Sequence, residues 1–125
     1  MKNKIFSTSM MFVALFLSVW VIFGSPENSY ATPPQDVTVS YDSNSKTLTV
    51  TITHETASQS FHYIKEVAIK KNGAIISNNQ YDHQPDANTF TYTYNLPATE
   101  GDTLEVTASC NIWGSKTTTL AIAKK

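Results

Sequence analysis

From residue 37 onward, polar and apolar positions alternate with a period of two, the pattern of strands with one face buried and the other wet. Thr47-Leu48-Thr49-Val50-Thr51-Ile52-Thr53 is the clearest instance, with Leu48, Val50 and Ile52 on one face and threonines on the other. Val37 to Tyr41 alternates before it, and Asp42-Ser43-Asn44-Ser45 supplies a turn. Tyr63 to Lys71 predicts a third strand with Val67 and Ile69 inward. Asn72-Gly73 then marks a tight hairpin, since both residues tolerate the positive φ of a type I′ turn, and Ala74 to Ser77 returns. Phe90, Tyr92 and Tyr94 mark one face of a fifth strand, Leu104, Val106, Ala108 and Cys110 a sixth, and Leu120 and Ile122 a seventh. Glu55 to Ser60 and Asp82 to Asn88 read as polar loops, and no helical period or repeat appears. About seven short antiparallel strands with regular turns predict an all-β, immunoglobulin-like β-sandwich.

The N-terminus departs from this pattern. Lys2 and Lys4 precede an apolar run from Met10 to Phe23, broken only by Ser18. Gly24, Ser25 and Pro26 end the run, and Ser29-Tyr30-Ala31 places small residues where a signal peptidase cuts. Residues 1–31 therefore read as a signal peptide, and residues 32–125 as one exported domain of about 94 residues. The apolar run is at the short end for a membrane span, which takes about 20 residues, so membrane attachment would come only through an uncleaved leader. The expected location is secreted or periplasmic.

Composition narrows the function. The formal charge is −1, and there is no arginine. The lysines are scattered apart from Lys70-Lys71 and the C-terminal pair, which argues against nucleic-acid binding. The carboxylates are spread out, and no phosphate loop, H-E-x-x-H or G-x-S-x-G motif is present. The single cysteine, Cys110, has no intramolecular disulfide partner, so it is a buried small hydrophobe, a metal ligand, a redox thiol or a crosslink to another chain.

Topology favours pursuing the ligand alternative. If successive strands reverse direction, the second–third, fourth–fifth and sixth–seventh connections emerge at one pole. His54 ends the second strand, His62 begins the third, His83 lies in the fourth–fifth loop and Cys110 ends the sixth. His54 shares the parity of Leu48, Val50 and Ile52, and Cys110 that of Leu104, Val106 and Ala108, so both face the core. Imidazole and thiolate there suit iron, zinc or copper. The plainer alternatives are a packed thiol, His62 clustered with Phe61 and Tyr63, an ordinary loop residue at His83, and Trp113 as a packing residue over the pole.

The spacing of His54, His62-Tyr63-Ile64-Lys65-Glu66-Val67-Ala68-Ile69 and Cys110-Asn111-Ile112-x-Gly114 resembles the iron-binding domain of superoxide reductases, the desulfoferrodoxin and neelaredoxin family. The resemblance spans roughly Leu48 to Leu120. It implies an immunoglobulin-like fold and a mononuclear iron site, with His54 and His62 as equatorial ligands and Cys110 as the axial thiolate. It implies superoxide reduction only where the iron site is complete. Trp113 stands where the family has a histidine, no histidine lies between Thr32 and Thr53, and Glu55 replaces a proline. With two of the family's five ligands absent, enzyme class stays open: either the site holds a metal, with His83 as the further donor that topology offers, or the domain is a degenerate relative that has lost it. A second resemblance is carried by His62-Tyr63-Ile64, Asn72-Gly73 and Gly101-x-Thr103-Leu104-x-Val106-Thr107. It is to the Z subunit of the exported thiosulfate-oxidising sulfur-carrier complex, and it implies a non-catalytic binding subunit. An exported redox or sulfur-carrier protein is the partner these resemblances imply, and Tyr81, Tyr92 and Tyr94 would suit such an interface.

Overall fold

The computed structural model describes residues 33–124; the expected signal peptide lies outside them. Within them the chain is all β, with seven strands: β1 (Asp36–Asp42), β2 (Thr47–Thr53), β3 (Ile64–Lys71), β4 (Ala74–Gln80), β5 (Thr89–Asn95), β6 (Thr103–Cys110) and β7 (Ser115–Ala121). They form two antiparallel sheets, ordered β1-β2-β5 and β4-β3-β6-β7.

The alternation places the core between the sheets. Leu48, Val50, Ile52 and Phe90 from the first sheet meet Ile64, Val67, Ile69, Leu104, Val106 and Ala108 from the second, all buried. The outward threonines pair across strands, with Thr51 and Thr91 hydroxyls 3.1 Å apart and Thr107 and Thr117 hydroxyls 2.8 Å apart. Along one side, β7 ties to β1 through Thr118 Oγ1, which donates to the Val37 carbonyl at 2.6 Å. Toward the other side, Tyr81 stacks on Tyr92 with centroids 4.3 Å apart, and its hydroxyl meets that of Tyr94 at 2.7 Å. These rings are partly buried and pack against the core.

Two departures from simple alternation matter. β4 continues three residues past Ser77, through Asn78 and Asn79 to Gln80. Asparagine is a poor strand former, but β4 is an edge whose polar side chains find local partners. Asn79 Nδ2 donates to the Val67 carbonyl at 3.2 Å, and Gln80 Nε2 to Glu66 Oε2 at 3.1 Å. The second departure is a register shift between Ile64 and Glu66 in the pairing of β3 with β6. Ile64 and Val67 are both fully buried although three residues apart, which strict alternation forbids. The extra residue, Lys65, absorbs the mismatch as a β-bulge and sets Ile64 opposite Cys110.

The turns carry their own constraints. Asn72 (φ 52°) and Gly73 (φ 87°) adopt the left-handed backbone of the anticipated hairpin. Gly114 (φ 88°) does so in the β6–β7 turn, where an added Cβ would lie 2.6 Å from Pro33 Cβ. Gly114→Ala therefore meets both backbone strain and a clash, whereas at Gly73 a Cβ meets nothing within 4 Å. Gly73→Ala should cost about 1–2 kcal/mol from conformation alone, and Gly114→Ala clearly more, as read by urea denaturation.

The tyrosine cluster predicts an alkaline limit. Burial, and then the neighbouring Tyr81, pushes the Tyr92 phenol up to about 12. Burial first, with the Tyr81 hydrogen bond second, raises that of Tyr94 further. Folded pKa values above the unfolded value of about 10 mean that this stabilisation is complete below pH 10 and fades as pH rises through the folded values. Thermal melts should hold steady to about pH 9 and fall between pH 10 and 12. Tyr94→Phe should flatten that fall; an equal fall in the variant would refute the assignment.

Candidate metal centre

Three strand ends at one pole, those of β2, β3 and β6, each deliver one donor. His54 follows the last residue of β2, and its backbone N–H donates to the Asn88 carbonyl at 2.8 Å, continuing the sheet geometry one step. Its parity keeps it inward, and the residue is fully buried. Cys110 closes β6 with the same inward parity and is 4% exposed. His62 lies two residues before Ile64, so the bulge at Lys65 also decides the side to which this approach leads. Without the extra residue, the face shared by Val67 and Ile69 would continue through Lys65 and Tyr63, and His62 would carry the opposite parity.

Donor atoms of His54, His62 and Cys110 all lie within 4.8 Å of one another. The two imidazoles meet edge to face, with centroids 4.6 Å apart and planes at 83°, and the Nε2 of His62 is fully buried.

The surroundings fix how each donor is presented. Gln84, fully buried, sits behind His54. Its Oε1 accepts from the Ile64 backbone N–H at 3.1 Å, and its Nε2 donates to the carbonyls of His54 (2.7 Å) and Asp86 (2.9 Å). A backbone N–H can only donate and a carbonyl can only accept, so the amide orientation is set. Oε1 therefore faces His54 Nδ1 at 2.8 Å as an acceptor, which puts the proton on Nδ1 and the neutral ring's lone pair on Nε2.

Asn111 does the corresponding work for the His62 segment. Its Oδ1 accepts from the Tyr63 N–H at 2.8 Å and its Nδ2 donates to the Phe61 carbonyl at 2.9 Å, so both neighbours of His62 are held by the residue next to Cys110. The sulfur itself accepts from the Ile112 N–H at 3.4 Å and its S–H donates to Asn111 Oδ1 at 3.9 Å. Two loops are also zipped together, because Gln84 N–H donates to the Gln59 carbonyl at 2.9 Å and Gln59 Nε2 to the Gln84 carbonyl at 2.7 Å.

Of the four donors anticipated, three converge and His83 stays outside. Its side chain is 66% exposed and bonds to Asp82 Oδ1 at 2.8 Å, which holds the Asp82 carboxyl below its usual range. The β4–β5 loop thus sends Gln84 inward and leaves His83 in solvent. Trp113 is 64% exposed, so it does not cover the core as a packing residue would, and Phe61 and Ile112 are exposed as well. No protein-family model and no curated protein sequence matches this chain.

Gln84 was not marked by type or spacing, since a glutamine in a polar loop has no periodicity to betray burial. The three-residue spacing of Ile64 and Val67 is the signal that points to the bulge. Replacing Gln84 by Ala leaves the Ile64 N–H and the His54 carbonyl to lose buried partners, and should destabilise the domain by about 1–3 kcal/mol in urea titrations. Nitrogen-15 NMR should show His54 protonated on Nδ1 in the parent protein and losing that preference in Gln84→Ala.

Proposed function

We propose that this chain is an exported, immunoglobulin-like β-sandwich that holds one transition-metal ion at its pole through His54, His62 and Cys110. It would be a superoxide-reductase-like domain carrying a reduced ligand set. The convergence of two imidazoles and one thiol within 4.8 Å is the observation that carries this reading. It is supported by the fixed tautomer of His54, because ligating histidines characteristically donate their other ring N–H to an oxygen acceptor. The strand order, with β1-β2-β5 facing β4-β3-β6-β7, agrees with an immunoglobulin-like connectivity.

The chain's residues would bind the ion, orient it and shield it from bulk water. Iron is the ion the family resemblance implies; imidazole and thiolate serve zinc and copper as well. Reduction of superoxide is the activity an iron-loaded site would supply, with the thiolate of Cys110 donating electron density to the metal. The alternative, a non-catalytic subunit like the sulfur-carrier partner, gives a buried His–His–Cys set no use.

Equilibrium dialysis of the mature protein against ferrous, zinc and copper ions, followed by metal analysis, tests the site. One equivalent of a metal should be retained, and Cys110→Ser should weaken retention at least about tenfold, as loss of a ligand requires. Absence of retention for all three metals would end the reading.

A further inference from the structure

We propose, resting on the metal-site reading above, that the site selects copper over iron and zinc. The whole chain contains three histidines, and one of them, His83, is exposed and bonded to Asp82. A plane of four imidazoles around iron is therefore beyond the reach of a single copy. Zinc takes four donors in tetrahedral sites, or three and an open water position. Here the donors are sunk in the pole, with His54 fully buried and Cys110 4% exposed, and among the described residues His54, His62 and Cys110 are the only cluster of three or more such donors.

Two imidazoles and one thiolate make a trigonal set that copper accepts. Thiolate favours the cuprous ion, imidazole suits both oxidation states, and copper tops the affinity series of divalent first-row metals. The surrounding bonds fit the same use. Gln84 commits His54 to one ring nitrogen, Asn111 anchors both flanks of His62, and the Ile112 N–H reaches the sulfur. A hydrogen bond at a copper-bound cysteine sulfur is one of the features that set the potential of such a centre. The class of ligand would therefore be a single copper ion, held by the nitrogens of His54 and His62 and the sulfur of Cys110.

The test is anaerobic competition. Mature protein is offered equal cuprous, zinc and ferrous ions, and bound metal is counted after gel filtration. Alkylation of Cys110 by iodoacetamide is followed in parallel. One copper per chain is expected, favoured at least about tenfold over either competitor, with Cys110 protected from alkylation. Cys110→Ser and His62→Gln should each lose the copper preference, with circular dichroism checking that each still folds. Should a variant unfold, protection of the parent's Cys110 by cuprous ion alone decides the matter. Preferential zinc or iron binding would overturn the copper inference while leaving the metal site standing. Failure of all three to bind would overturn both. Copper that binds while leaving Cys110 fully reactive would place the ion elsewhere and likewise overturn the inference.

Discussion

The carboxamide of Gln84 spans the gap between the two sheets and answers backbone groups from three segments. It accepts from the Ile64 N–H at the start of β3 and donates to the carbonyls of His54 and Asp86, while its oxygen also faces His54 Nδ1. Burying an amide this deeply is costly unless each of its groups is matched. Here they are matched, and the matching requires the β2 end, the β3 start and the β4–β5 loop to occupy single positions. A polar side chain, not an apolar one, stands where only one arrangement satisfies it.

Cys110 benefits from a second such clamp on the opposite side. Asn111 reaches back to Phe61 and Tyr63, and its own N–H donates to the Tyr63 carbonyl at 2.9 Å. The thiol and the His62 segment are thus joined through consecutive residues of one turn. Loss of either carboxamide would release this geometry.

How far the sequence told this can be traced to particular residues. Thr47 to Thr53 and Leu104 to Cys110 alternate without interruption, so their strands and inward faces were legible, and parity brought His54 and Cys110 to one pole. Beyond the strands the period ends and legibility ends with it. His83 is conspicuous as a donor type, but which of two adjacent loop residues turns inward is decided by the bonds that tie the Gln84 backbone to the carbonyl and side chain of Gln59. The bulge at Lys65 was similarly hidden, because it appears only as an interval of three between Ile64 and Val67.

The bond between His54 and Gln84 joins residues thirty positions apart, and Asn111 meets Tyr63 across forty-eight. Contacts of such separation form late, after the chain has surrendered most of its freedom to the hairpins that bring them near. The His–His–Cys cluster therefore has no counterpart in a nascent or unfolded polypeptide. On the proposed reading an ion would meet a finished fold, and its capture would act as a latch, deepening the native well with the logarithm of the free metal once sites are largely filled.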